Sequence, residues 1–209
     1  MERVIFLDAG GVLFDTVKKG EDRVHHILAE RGFERQDVQA AIGKAKMLEL
    51  PFITNWEEEE RYFKRYYEVI AEEMGAGELA PELFYFCHYA RHCEMFMEVK
   101  AVLEKLKAKH YRLAVISNAV PSMDWVFDQL GLRKYFERII LSATVNKVKP
   151  SEAIYRYALE EMNVRPEDAV FVDDLIENIQ GAEPIGMKAL HLRRKKQDLW
   201  ELLKEEGLI

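Results

Sequence analysis

Short runs of β-forming apolar residues recur along this chain, and several of them end at a polar residue. The first run, Val4–Leu7, is followed directly by Asp8. A short, continuously apolar run is typical of a strand that is buried on both faces of a parallel sheet. The same pattern predicts four further strands, at residues 113–116, 138–141, 169–172 and 189–192.

Helical patterns separate these predicted strands. Apolar residues at helical spacing predict a helix over residues 99–106, and Pro121 and Pro150 stand where helices begin. Two more helices are predicted at residues 176–186 and 199–208. Because strands alternate with helices, we expect an α/β fold in which right-handed crossovers build a parallel sheet with helices on both faces.

The region from residue 15 to residue 92 departs from this alternation. Its pattern predicts four successive helices, at residues 24–32, 38–48, 56–74 and 81–92, and the acidic run at 57–60 is expected to be a solvated first turn. Its many aromatic side chains are typical of the core of a small helical bundle. We therefore expect a core of residues 1–14 and 93–209, with an α-helical cap of residues 15–92 inserted after the first strand.

Composition excludes several classes of function. The net charge is −7 and no basic arm or stripe is present, which argues against nucleic-acid binding. The basic run at residues 193–196 is short and predicts a solvated entry to the last helix. No apolar run approaches the roughly 20 residues that span a bilayer, and the first residues lack a signal-peptide layout. Cys87 and Cys93 match no zinc motif. We expect a cytoplasmic protein without a membrane partner.

Polar residues gather at the predicted strand ends. They are Asp8, the pair Ser117-Asn118 and the pair Asp173-Asp174, with Lys149 in a later loop. Taken singly, an aspartate after a strand is commonly the N-cap of a helix. Active sites of open parallel sheets, however, lie at the carboxyl ends of the strands. We therefore expect these side chains to share one site.

Four segments that contain these residues resemble the motifs of the haloacid dehalogenase-like superfamily. They are Asp8-Ala-Gly-Gly-Val-Leu-Phe-Asp15, Ile116-Ser117-Asn118, Val148-Lys149-Pro150, and Phe171-Val172-Asp173-Asp174 followed by Asn178. The resemblance covers the core, about residues 1–14 and 93–209, whereas the cap matches only in position and helical character. It implies a Rossmann-like parallel sheet with a helical cap, and a phosphatase that hydrolyses phosphoric monoesters.

The resemblance assigns roles to the matching residues. Asp8 is implied to be the nucleophile that is transiently phosphorylated, as a carboxylate that attacks phosphorus in line. Lys149 is implied to place a positive charge against Asp8 and the transferring group. Asp8, Asp174 and the backbone carbonyl of Gly10 are the implied ligands of Mg²⁺, a cation that prefers oxygen donors.

Further residues are implied to support the site. Ser117, and backbone N–H groups near Asn118 and Gly11, resemble the donors that bind the substrate phosphate. Asp173 could be a further ligand or a partner of the metal ligands, and we expect the second role. Asn178 stands where many relatives have another carboxylate.

Gly10 departs from the common pattern of the family. Most of its phosphatases have an aspartate there that acts as general acid and base, and a positioned group of this kind contributes about 10²–10⁴-fold in rate. A branch with the Asp-x-Gly-Gly-Val pattern nevertheless includes active sugar-phosphate phosphatases. The expected substrate is therefore a small phosphorylated metabolite. The missing group could be replaced by water or by one of several side chains: Asp15, Glu58, His88 or His92.

Two alternatives stay open at this point. A haloacid dehalogenase would use Asp8 against carbon without a metal, and Lys149-Pro150 with Tyr155 resembles that branch. Dehalogenases usually carry Tyr in place of Gly10, however, and lack paired acids in the last motif. A catalytically weak relative that binds a phosphorylated ligand or a protein partner is the second alternative, and Gly10 is its support. The oligomeric state is not predicted.

Overall fold

A computed structural model of the chain describes residues 3–51 and 53–209. The chain divides into two units, each with its own packing. The core unit is the described part of Met1–Asp15 together with Glu94–Ile209, and the helical unit is Thr16–Cys93. The chain therefore leaves the core unit shortly after the first strand and returns to it about eighty residues later.

The core unit is built on a five-stranded parallel sheet with the order β5-β4-β1-β6-β7. This confirms the predicted parallel α/β fold, and each of the five predicted strands is present with small shifts at its ends. A separate pair of short strands, β2 and β3, was not predicted. The strands are β1 Val4–Leu7, β2 Phe14–Thr16, β3 Cys93–Met95, β4 Arg112–Ser117, β5 Arg138–Leu141, β6 Ala169–Asp173 and β7 Lys188–His191.

The central strand, β1, explains why its sequence is apolar without alternation. All four of its side chains are fully buried, because helices and loops cover the sheet around it. It pairs with β4 on one side and β6 on the other, so that Leu7 lies opposite both Val115 and Val172. Burying an aromatic or branched side chain such as Phe6 contributes roughly 1.5–3 kcal/mol.

The predicted helices are present, although several are shorter than expected. The helix predicted over residues 176–186 ends at Ala182 and continues as a 3-10 turn, Glu183–Ile185, since Pro184 has no N–H to donate to an α-helical bond. The helices are α1 Gly20–Ala29, α2 Arg35–Ala45, α3 Trp56–Glu73, α4 Ala80–Cys87, α5 Val99–Ala108, α6 Met123–Gln129, α7 Ser142–Val145, α8 Glu152–Glu161, α9 Ile176–Ala182 and α10 Leu199–Glu205.

The helical unit has its own apolar core. Side chains from α1 to α4 meet there, including Leu28, Ile42, Ile70 and Leu83. The expectation of a wholly solvated acidic turn at the start of α3 is wrong for one residue, because Glu59 is fully buried. Among the described residues, no helix has both the length and the apolar character needed to cross a membrane.

Tyr155 provides a test of packing beneath the sheet edge. It is fully buried against the ring of Phe171 at a centroid distance of 5.3 Å, and its hydroxyl donates to the carbonyl of Asn178 at 2.8 Å. We expect Tyr155→Phe to lower the free energy of unfolding by about 1 kcal/mol, because a buried carbonyl loses its donor. Urea unfolding measures this, with Tyr157→Phe as the control on the more exposed side of the same helix. Equal losses in the two variants would contradict the prediction.

Candidate active site

The order of the strands brings three of the predicted residues to one edge of the sheet. Asp8 follows the last paired residue of the central strand, and its N–H donates to the carbonyl of Val172 at 2.9 Å. Ser117 ends β4 on one side, and Asp173 ends β6 on the other. All three side chains are buried. The carboxyl ends of the three central strands therefore place their polar residues side by side.

Lys149 reaches this edge and bridges two of the carboxylates. Its ammonium group donates to Asp8 Oδ1 at 2.8 Å, to Asp173 Oδ2 at 2.7 Å and to the carbonyl of Ile116 at 2.9 Å. The lysine side chain is only 1% exposed. A buried ammonium is stable when each of its three hydrogens has an acceptor, and here each one does.

Asn118 holds the main chain of Lys149. Its side-chain amide donates to the Lys149 carbonyl at 2.8 Å, and its Oδ1 accepts from the Lys149 N–H at 2.8 Å. The two bonds tie the end of β4 to the loop that carries the lysine. The side chain of Asn118 is thus engaged in positioning Lys149.

Asp173 is fully buried and surrounded by donors. Besides the ammonium of Lys149, it accepts from the Asn178 amide at 3.0 and 3.1 Å and from the Leu175 N–H at 2.8 Å. A carboxylate in place of Asn178 would repel Asp173 at this distance, whereas the amide donates to it. Asp173 is therefore held as a fixed counter-charge to Lys149.

A cluster of three carboxylates forms around this arrangement. Oxygens of Asp8, Asp173 and Asp174 all lie within 4.8 Å of one another. Burial raises the pKa of Asp8 in spite of the nearby Lys149. Burial, followed by the charges of Asp8 and Asp173, raises the pKa of Asp174 to about 6. Three ionised carboxylates around one ammonium leave negative charge uncompensated, and this donor set fits a hard divalent cation such as Mg²⁺.

The two glycines after Asp8 have different reasons for being glycine. Gly11 has a φ of +76°, and a Cβ there would overlap the carboxylate of Asp174. Only glycine lets Asp174 approach the turn so closely. Gly10 has an ordinary backbone conformation, and a Cβ built there meets no atom within 4 Å. The backbone therefore does not require glycine at position 10.

The turn after Asp8 uses its own hydrogen-bonding groups. The Gly11 N–H donates to the carbonyl of Phe14 at 2.9 Å, and the Leu13 N–H donates to the carbonyl of Ala9 at 2.8 Å. The Gly11 N–H, which belongs to the backbone groups predicted to donate to the substrate phosphate, is thus already paired within the turn. It can reach a ligand only if this bond opens.

Two further residues near the site were missed in the sequence. His191 donates from Nε2 to the carbonyl of Asp174 at 3.0 Å, and Arg194 donates to the carbonyl of Gly11 at 2.9 Å. The prediction of a wholly solvated basic run at 193–196 is therefore wrong for Arg194, although Arg193 is exposed. Both missed residues follow β7 or end it, so the rule that polar residues at strand ends converge applies to them as well.

The candidates for a replacement acid have partners of their own. Glu58, in the first turn of α3, accepts from the Thr54 N–H at 2.8 Å, and its hydrogen bonds with Thr54 lower its pKa. His92 donates to a backbone carbonyl of α4 at 2.7 Å, and burial lowers its pKa. His88 is buried beside Glu59, within 3.5 Å. Asp15 is exposed.

Comparison with known proteins identifies the family to which this site belongs. The model of a hydrolase family, the haloacid dehalogenase-like hydrolases, matches residues 2–186. The chain belongs to this family. The match contains every motif residue described above and ends before β7, so that His191 and Arg194 lie beyond it.

Two curated relatives are named as phosphatases. A phosphoglycolate phosphatase of Aquifex aeolicus is 27% identical over 190 residues, which cover 89% of this chain and 82% of that protein. A glyceraldehyde 3-phosphate phosphatase of Methanothermobacter thermautotrophicus is 36% identical over 97 residues, covering 46% of this chain and 43% of that protein. The chain therefore matches less than half the length of the second relative.

Solved structures share the fold. The crystal structure of a 2-haloacid dehalogenase from Pseudomonas syringae pv. Tomato DC3000 superposes with a TM-score of 0.65 at 22% identity, covering 94% of this chain and 89% of that chain. At this level of identity the similarity establishes the haloacid dehalogenase-like fold and leaves the chemistry to the site.

The cluster predicts an unusual effect of removing one carboxylate. Because the pKa of Asp174 is raised, its ionisation destabilises the metal-free fold as pH rises from about 4 through about 6. We expect Asp174→Asn to increase the free energy of unfolding in EDTA at pH 7 by about 1 kcal/mol, allowing for solvent screening of a half-exposed group. The gain should shrink at pH 5. Added Mg²⁺ should stabilise the wild type and not the variant.

The neighbouring residue is the matched control, with the opposite sign. Asp173→Asn removes a buried partner of Lys149 and should destabilise the protein by about 3 kcal/mol. Chemical unfolding at both pH values measures the two variants together. A metal-free Asp174→Asn protein that is less stable than wild type at pH 7 would contradict the electrostatic interpretation.

Proposed function

We propose that this chain is a Mg²⁺-dependent phosphatase that hydrolyses a small, sugar-phosphate-like metabolite through Asp8. The observation that carries the proposal is the cluster of Asp8, Asp173 and Asp174 around a single buried lysine. Such a cluster suits a metal-assisted reaction of a phosphate anion better than a metal-free displacement at carbon. The names of the two curated relatives, a phosphoglycolate phosphatase and a glyceraldehyde 3-phosphate phosphatase, support it independently.

Asp8 is positioned for nucleophilic attack. Lys149 holds one of its oxygens at 2.8 Å, which orients the carboxylate, and the strand below fixes its backbone. Attack on phosphorus forms an aspartyl-phosphate while the bond to the substrate's alcohol oxygen breaks, and water then attacks phosphorus to release phosphate and restore Asp8. The ammonium of Lys149 offsets negative charge in both steps.

Asp8, Asp174 and the Gly10 carbonyl are the groups that would hold Mg²⁺. When bound, the cation neutralises the repulsion between Asp8 and the incoming phosphate. Asp173, whose oxygens already accept from Lys149, Asn178 and the backbone, keeps Lys149 in place instead. We assign phosphate binding to Ser117 and to backbone N–H groups near Asn118 and Gly11.

We assign substrate selection to the helical unit, as a cap of about residues 15–92. Two short crossings, at β2 and β3, join it to the core unit, and its helices enclose a separate core. A unit that folds around its own core can vary in sequence without disturbing the residues at the sheet edge.

The decisive experiment is turnover of an aryl phosphate with and without metal. We expect EDTA to abolish activity and Mg²⁺ to restore it, with Ca²⁺ a poor substitute because its larger and more flexible coordination misaligns in-line attack. Asp8→Asn should abolish turnover while leaving the circular dichroism spectrum unchanged, because an amide cannot attack phosphorus. A metabolite panel of phosphate monoesters then identifies the substrate.

Two results would contradict this function. Full activity of the wild type on a 2-haloacid in EDTA would establish the dehalogenase alternative. Absence of phosphate release and of dehalogenation, in protein that still binds phosphorylated ligands, would establish a binding protein instead.

Gly10 generates a prediction about leaving groups. If no side chain protonates the leaving oxygen, aryl phosphates should react at least tenfold faster than alkyl phosphates, since a phenolate needs little proton assistance. A Cβ at position 10 meets no atom within 4 Å, and Gly10→Asp should raise alkyl-phosphate turnover selectively. Gly11→Ala is the contrasting variant, because its Cβ overlaps Asp174, and it should lose activity on both esters. Equal wild-type rates on matched esters would show that another group supplies the proton.

A further inference from the structure

Arg194 contacts the turn that follows the nucleophile. Its Nε donates to the Gly11 carbonyl at 2.9 Å, and its Nη2 donates to the carbonyl of Val12. The guanidinium also lies over the ring of Phe96, 3.7 Å from the centroid. A side chain from beyond the last strand of the sheet therefore binds two successive carbonyls of the turn.

A carboxylate fixes the guanidinium in this position. Nη1 of Arg194 pairs with Glu98, whose side chain is 16% exposed, against 21% for the arginine. The same Glu98 oxygen accepts from the N–H of Leu199 at 3.4 Å. Glu98 lies just before α5, so the contact joins the segment after β7 to the start of that helix. All the hydrogen-bond acceptors that the Arg194 guanidinium contacts thus belong to the core unit.

Besides Arg194, a backbone bond from outside the turn helps to define its shape, because the Phe96 N–H donates to the Leu13 carbonyl at 3.2 Å. Its inner bonds, from Gly11 to Phe14 and from Leu13 to Ala9, are local. Gly11 has a left-handed conformation, and the backbone of a glycine can adopt many others. The turn can therefore change shape when nothing holds it. A small displacement of the turn would move Gly10 relative to Asp8 and Gly11 relative to Asp174.

We propose that Arg194 is a positioning residue for the reaction, which fixes the turn after Asp8 from outside the site. By holding the carbonyls of Gly11 and Val12, it fixes the position of the Gly10 carbonyl relative to the Asp174 carboxylate, as the binding of a cation and a phosphate would require. The inference rests on the proposed phosphatase function for its effect on rate. The mechanical link between Arg194 and the turn does not depend on that function.

The chemistry of the contact requires arginine. A planar guanidinium presents five donors in a fixed fork and stacks on an aromatic ring, whereas a lysine ammonium is a single point of charge. Here the fork reaches two carbonyls and one carboxylate while its face covers Phe96. Lysine at this position should therefore preserve the charge but only part of the restraint.

Amide hydrogen exchange tests the link to the turn, with Arg193→Ala as the matched control. Arg193 is the exposed neighbour in the same basic run. In Arg194→Ala, the amides of Gly11, Leu13 and Phe14 should exchange at least tenfold faster than in wild type, while those of β1 stay unchanged. In Arg193→Ala, all of these amides should exchange within twofold of the wild-type rate.

Kinetics on an aryl phosphate tests the effect on the reaction. We expect Arg194→Ala to lower kcat at least tenfold and to raise the Mg²⁺ concentration for half-activation at least threefold. Arg194→Lys should recover part of both losses. Millimolar guanidinium should raise the rate of Arg194→Ala and leave Arg193→Ala unaffected, since free guanidinium replaces only the missing group.

Each result decides one part of the inference. Unchanged exchange in the turn of Arg194→Ala, or faster exchange with unchanged kcat and Mg²⁺ activation, overturns the positioning role. A lower melting temperature without changes in amide exchange, kcat or Mg²⁺ activation indicates a structural role alone and also overturns the positioning role. If Arg194→Ala does not fold, Arg194→Lys and Glu98→Gln provide the same measurements. A wild type without Mg²⁺-dependent turnover rejects the proposed function, while the exchange result still decides whether Arg194 holds the turn.

Discussion

The buried ammonium of Lys149 is the interaction on which the rest of the site depends. It joins Asp8 to Asp173 across the ends of two neighbouring strands, and a third bond reaches the end of β4 through Ile116. Removing the charge would leave two buried carboxylates facing each other, a costly arrangement. The order of the sheet makes these contacts possible, because β4, β1 and β6 are adjacent and present their carboxyl ends to one lysine.

Much of this could be predicted from the sequence, for a physical reason. A parallel strand buried on both faces is apolar throughout, so the first polar residue after it marks the edge where a site forms. This rule finds Asp8, Ser117 and Asp173, and it predicts the five-stranded sheet. It does not say which backbone groups pair within a turn. Only the three-dimensional structure shows that the Gly11 N–H is hydrogen-bonded within the turn, and that glycine is required at position 11 but not at position 10.

The electrostatics of the cluster oppose the stability of the metal-free fold. Asp8 and Asp174 both have raised pKa values, first because burial disfavours their ionised forms and then because the charge of Asp173 repels them. A structure selected for stability alone would carry an amide at one of these positions, as position 178 does. The presence of three carboxylates beside one lysine is therefore best explained by a functional requirement. A bound cation would compensate the negative charge that the single lysine does not balance.

The contacts of Arg194 could not be predicted from the charge pattern of the sequence. A short basic run followed by acidic residues is usually solvated, and three of its four members follow that expectation. What distinguishes Arg194 is not its type but its place just beyond β7, beside carbonyls of the turn and the carboxylate of Glu98. These acceptors are brought together by strands and helices that are distant in the sequence. The functional core of this chain therefore extends past the last residue that the family model matches, into the segment that closes the sheet.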